Sequence, residues 1–206
     1  PPSSKKLKTL TFKQSQVHDF AWFADKRYNV LKGSVKLPNS EKEVTTWVMF
    51  TNQYAEFWTK SILYVNDAVY YYSKWNGDYP YNHATAVDGA LSAGSGMEYP
   101  NITVIGRPGT DKLLENVIMH EVGHNWFYGI LGSNEREFPW LDEGLNTYNE
   151  IRYMNLKFPA EQNTNKIFEI AGFDKTDHFD NNMLGYLFAA RLNSDQPINT
   201  NSEDMR

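Results

Sequence analysis

The chain has 206 residues, 41% of them hydrophobic and 15% aromatic, enough for one domain with a real core. Its 25 acidic and 20 basic residues leave a formal net charge of −5, and no basic run exceeds Lys5-Lys6-Leu7-Lys8, which argues against a nucleic-acid partner. The absence of cysteine excludes disulfides and thiolate metal sites, and no apolar run approaches the roughly twenty residues of a membrane span or marks a signal peptide, so the compartment stays open.

Pro1-Pro2-Ser3-Ser4-Lys5-Lys6 reads as a linker, which sets residues 1–6 apart from a domain over 7–206. Lys8 to Phe12, Asp19 to Phe23, Tyr28 to Leu31 and Val44 to Phe50 cluster β-branched and aromatic residues, which predicts a sheet in the first quarter. From about Gln53 to Lys74 the positions of Phe57, Leu63, Ala68, Val69 and Tyr72 fit a long helix ended near Asn76-Gly77. Tyr70, Tyr71, Tyr72 and Trp75 then divide between a core face and an exposed one. Strand signals resume at Tyr81 to Val87 and Ile102 to Ile105, on either side of a glycine-rich segment that is expected at a sheet edge. Leu113, Leu114, Val117, Ile118 and Val122 predict a helix capped by Thr110 or Asp111 and ended by Gly132. Pro139 suits the entry to another helix at Trp140-Leu141, Leu184 to Phe188 reads as a buried helix, and Asn193 to Ser202 as a polar loop. The sum is an α+β fold: an N-terminal mixed β-sheet with long helices, followed by a mostly helical half.

Within that half lies His120-Glu121-Val122-Gly123-His124. Residues four apart on a helix share one face, so the two imidazoles would close on one metal ion, with Glu121 beside it. The bland alternative is a solvated turn carrying two histidines, but the apolar period puts them on a buried helix, where a shared cation offsets their desolvation. Glu143, nineteen positions past His124, becomes the third ligand if the helix from Trp140 returns antiparallel; otherwise it is an ordinary surface carboxylate. His120, His124 and Glu143 thus form the expected set for one Zn2+ per chain, with a position left for water. Asn146 and Glu150 follow Glu143 on the same face, either orienting the metal ligands through hydrogen bonds or forming a solvated polar surface.

The His-Glu-x-x-His-x18-Glu pattern, with Trp140-Leu141-Asp142-Glu143-Gly144 around the last ligand, resembles the M1 family of zinc aminopeptidases. Gly94-Ser95-Gly96-Met97-Glu98-Tyr99-Pro100 is similar to the family's Gly-Ala-Met-Glu-Asn motif, and His124-Asn125-Trp126-Phe127 and Val17 to Trp22 extend the likeness over most of residues 17 to 155. The resemblance implies a thermolysin-like zincin catalytic domain of the gluzincin type, cut from a longer multidomain enzyme and truncated on its C-terminal side. It also implies peptide substrates with a free N-terminus, with the remaining domains of the full-length chain as partners. Gly96, Met97 and Glu98 would bind the substrate, Glu98 holding its α-ammonium, and Glu121 would be the catalytic general base. The bland reading of Glu98 is a strand-end carboxylate among glycines.

Ser95 and Gly96 stand where the family usually has Gly-Ala, and Tyr99 replaces its asparagine. No segment matches the surroundings of the family's oxyanion-binding tyrosine, which is expected beyond Arg206, and Tyr186 is no substitute for it. His18 in a strand, His83 near the sheet and His178 in a polar turn read as structural or solvent-facing. The rival readings are a thermolysin-like endopeptidase, an epoxide hydrolase as in one branch of the family, and a peptide-binding relative or fragment with little activity.

Overall fold

The computed structural model describes residues 7, 9–91, 95–159, 161, 162, 170 and 175–204. Strands β1 (Asn29–Lys36), β2 (Glu43–Phe50), β3 (His83–Asp88), β4 (Gly96–Met97) and β5 (Ile102–Ile105) form one mixed sheet in the order β1-β2-β3-β5-β4. The β2–β3 and β3–β5 pairs are parallel, and the outer pairs β1–β2 and β4–β5 are antiparallel. Strict alternation drives β2: Val44, Thr46, Val48 and Phe50 all point into the core. The helices are α1 (Ala55–Trp58), α2 (Ser61–Asn76), α3 (Asp111–Gly123), α4 (Leu145–Lys157) and α5 (His178–Arg191), with a two-strand ladder of β6 (Glu161–Gln162) and β7 (Lys175–Thr176) between the last two. Tyr64, Val65, Ala68, Val69 and Tyr72 give α2 its buried stripe against β1, β2 and α3. Residues 1–6, read as a linker, lie outside the described residues, as do Lys8 and Gly94.

Several elements differ from the sequence expectation. Residues 9–12 and 19–23 form no strand, because no neighbouring strand offers them a ladder; Phe12, Phe20 and Trp22 stay exposed. Propensity without a partner does not make a sheet. The helix expected over 53–74 is interrupted at Thr59 and Lys60, where the buried Ser61 hydroxyl donates to the Trp58 carbonyl at 2.6 Å. Its predicted end holds: Gly77 stops α2 at φ 95°, a left-handed conformation suited to glycine. Tyr186 does lie on a helix, α5, but on an exposed face, and His178 opens that helix instead of lying in a turn.

Away from the sheet, α2, α3 and α4 are clamped by a polar group of four residues. The Tyr153 hydroxyl of α4 lies 2.5 Å from Glu115 of α3 and 3.0 Å from Asp67 of α2, and Lys157 Nζ reaches both carboxylates at 2.6 and 2.7 Å. Tyr153 and Glu115 are buried, so their polar atoms depend on these partners. Tyr153→Phe removes the central hydroxyl and is expected to lower unfolding free energy by about 2 kcal/mol, read from the urea midpoint at unchanged m-value.

Candidate metal centre and active site

Thr110 begins α3 by accepting the Leu113 N–H on its hydroxyl at 3.1 Å. Leu114, Val117, Ile118 and Val122 anchor the helix, which carries His120 and Glu121 in its last turn. It ends at Gly123, nine residues before the Gly132 stop expected from sequence, and His124 is its cap residue. A wide π-type turn over Asn125–Ile130 follows, in which Tyr128 adopts φ 107°, a region few residues other than glycine enter. A second wide turn, Trp140–Gly144, leads into α4 and delivers Glu143.

These turns bring the three expected ligands together. His120 Nε2 lies 3.1 Å from His124 Nε2 and 3.1 Å from Glu143 Oε2, and His124 Nε2 lies 3.8 Å from the same oxygen. Donors placed about 2.0–2.2 Å from a tetrahedral zinc stand roughly 3.3 Å apart, so this triangle has the right size, and two imidazoles with one carboxylate are the right chemistry. The other face of each ring is held. His120 Nδ1 is 2.7 Å from Glu150, which accepts a further hydrogen bond from Asn116 at 3.0 Å, and His124 Nδ1 is 2.5 Å from the buried Asp142. Carboxylates on Nδ1 leave both Nε2 atoms turned toward a common ion. Burial opposes a charge on His120, but hydrogen bonds to Glu143 and Glu150 outweigh it and raise its pKa to about 10.

Glu121 is buried, and its Oε2 is an orphaned acceptor with no hydrogen-bond partner. Burial pushes its carboxyl up to about 7, with Glu98 and Glu143 adding to the shift against the pull of His120 and His124. Oxygens of Glu98 and Glu121 and a nitrogen of His124 fall within 4.8 Å of one another. On its other side Glu98 meets Glu135 and Asp142 at the same spacing, and neither Glu98 nor Glu135 forms an ion pair among the described residues. Burial raises the Glu98 pKa, while hydrogen bonding to His120 lowers that of Glu143.

Glu98 follows β4, the edge strand of the sheet, as expected. In that strand Gly96 faces Glu121 so closely that any β-carbon would overlap the carboxylate. Met97, the next residue of the strand, points to the opposite face with its partner Val104, and lines a cavity of about 830 Å³ with Phe20, Trp22 and Tyr99. His18 sits outside any strand, its ring edge-on to Tyr128 at 4.1 Å; His83 begins β3. Asp142 was not singled out from sequence, although its place beside Glu143 was a usable signal. Glu150 does orient His120; Asn146 instead donates to the His120 main-chain carbonyl.

No protein-family profile matches the chain. It is 30% identical over 95 residues to bovine (Bos taurus) endoplasmic reticulum aminopeptidase 2, covering 46% of this chain and 9% of that protein. To human aminopeptidase B it is 38% identical over 69 residues, 32% of this chain and 10% of that one. The solved M1 zinc metallopeptidase of Deinococcus radiodurans shares the fold at a TM-score of 0.57 and 17% identity, over 83% of this chain and 35% of that one. The chain is thus similar in sequence to curated aminopeptidases and in fold to a solved M1 zinc metallopeptidase. It spans about a tenth of those curated proteins' length and about a third of the solved chain's. A mutant of the Deinococcus enzyme solved with a Tyr-Ser-Ala substrate has the same fold at a TM-score of 0.53, 15% identity, 85% of this chain and 36% of that one.

The Gly96–Glu121 contact makes a sharp prediction. Gly96→Ala must displace the Glu121 carboxylate while leaving His120, His124 and Glu143 in place. A crystal structure of the variant is expected to show the Glu121 carboxylate moved and the His120, His124 and Glu143 side chains where they are now.

Proposed function

We propose that this chain is the core of a zinc-dependent aminopeptidase of the M1 type, hydrolysing the first peptide bond of substrates with a free N-terminus. In this reading residues 7–206 belong to the thermolysin-like catalytic domain of a longer multidomain enzyme, and residues 1–6 to a linker. The observation that carries it is the convergence of His120, His124 and Glu143 at ligand spacing, with the unpartnered carboxylate of Glu121 beside them.

Zinc held by His120, His124 and Glu143 would supply a Lewis acid that polarises the scissile carbonyl and acidifies a water. Glu121, buried and with its pKa raised to about 7, accepts the proton of that water and returns it to the departing amine nitrogen. Asp142 and Glu150 hold the two imidazoles by Nδ1, so their Nε2 lone pairs keep their aim. Glu98 binds the α-ammonium of the peptide. The support is electrostatic: Glu98, Glu135 and Asp142 bring three carboxylates together, and a cationic terminus relieves their repulsion. The free edge of β4 offers main-chain groups to an extended peptide and so sets which bond lies over the metal. Tyr186 is exposed on α5, so no oxyanion donor is assigned among the described residues. One missing donor of this kind costs on the order of a hundredfold to a thousandfold in turnover.

Metal content measured together with hydrolysis of paired amino-free and amino-blocked peptides tests the reading. The expected result is about one zinc per chain, cleavage of the free peptides alone, loss of activity with a chelator and its return with zinc. Cleavage of blocked peptides instead makes the protein an endopeptidase, and the absence of bound zinc overturns the proposal. Glu121→Gln is expected to keep zinc and lose about a hundredfold or more in kcat. Glu98→Ala should mainly raise KM and erase the preference for free amino termini, which the same peptide pair reports.

A further inference from the structure

The last turn of a helix has carbonyls with no partner four residues on, and in α3 that turn carries His120 and Glu121 and ends on His124. The His124 N–H bonds the Val122 carbonyl. The His120 carbonyl takes its hydrogen bond from elsewhere, from Asn146 Nδ2 of α4 at 2.8 Å. Asn146 is fully buried, and its Oδ1 accepts from the Tyr72 hydroxyl of α2 at 2.7 Å. Tyr72 is fully buried as well, and its hydroxyl also lies 3.2 Å from the Asn146 main-chain carbonyl. Gly123 makes this packing possible, since a β-carbon there would collide with both Asn146 and Tyr72. One polar thread therefore runs from α2 through α4 to the main chain of a candidate metal ligand.

We propose that Asn146, held by Tyr72, is a positioning residue for the metal centre. By fixing the His120 carbonyl it fixes the final turn of α3, and with it the 3.1 Å separation of the two Nε2 atoms on which metal affinity depends. It acts through the backbone, in contrast to Glu150 and Asp142, which act on the rings. A terminal helical turn frays unless its free carbonyls are satisfied, and here fraying would swing His120 against His124. The Tyr153 clamp joins the same three helices but meets α3 at Glu115, more than a turn before His120, so it contributes to helix packing without touching the ligand turn. This inference rests on the zinc reading above.

The test separates metal affinity from stability. Zinc dissociation constants are measured by chelator competition, and thermal unfolding of the metal-free chain is followed in parallel, for the natural chain, Asn146→Leu, Tyr72→Phe and Tyr153→Phe. Asn146→Leu keeps the branched heavy-atom outline, with methyls somewhat larger than the amide, and removes both side-chain hydrogen bonds. It is expected to weaken zinc by about ten- to a hundredfold, the scale for residues that hold metal ligands in place. Tyr153→Phe should melt earlier yet keep its zinc affinity within about threefold. If both variants lose affinity in step with stability, or if Asn146→Leu binds zinc as tightly as the natural chain, the proposal is overturned. Should Asn146→Leu not fold, Tyr72→Phe decides: loss of one oxygen is expected to weaken zinc several-fold, and unchanged affinity overturns the proposal. Failure of the natural chain to bind zinc is a different result, since it removes the metal reading itself.

Discussion

Carboxylates outnumber the groups that balance them at the heart of this chain. Glu143, Glu150 and Asp142 crowd two imidazoles, Glu121 is buried against the same pair, and Glu98 faces Glu121 on one side and Glu135 on the other. Ionised groups so close and so little hydrated repel one another unless a positive charge lies among them. Burial is the main cause of the upward shift at Glu98 and Glu121, with neighbouring carboxylates adding to it, and hydrogen bonds to Glu143 and Glu150 raise His120.

The fold answers this demand with rigidity. The buried stripe of α2 packs on the sheet and on α3, and α4 packs on α3 as well, so the helix that carries His120 and Glu121 is held from two directions. The carboxylate-rich end of α3 is braced by side chains of α2 and α4, and its far half by the Tyr153 cluster. Wide turns stand where the candidate ligands leave their helices, after His124 and before Leu145. Those interruptions turn a sequence spacing of nineteen residues into a triangle a few ångströms across.

What was legible in the sequence follows from how local each signal is. His120, Glu121 and His124 were readable because a helical turn alone sets their geometry, and Gly77 and Thr110 because helix ends have chemical requirements. The edge position of Gly96 to Glu98 followed from strand signals on both sides of a glycine run. Strands over 9–12 and 19–23 were misjudged, since composition records a preference and not whether another strand lies alongside. The end of α3 at Gly123 was hidden because the apolar period gives no sign of a wide turn. Asp142, Tyr72 and the backbone role of Asn146 depend on contacts across 18 to 74 residues of sequence, which no window along the chain encloses.

Strand β4 presents two sides of unequal freedom. The side that carries Gly96 is sealed by Glu121, so every L-amino acid larger than glycine is barred there while the base keeps its place. The side that carries Met97 opens on a roomy, aromatic-lined cavity in which side chains of many sizes fit. Divergence among close descendants of this chain is therefore channelled: Met97, Tyr99, Phe20 and Trp22 can drift and alter what is accommodated beside the edge, while Gly96 is held by Glu121 of α3.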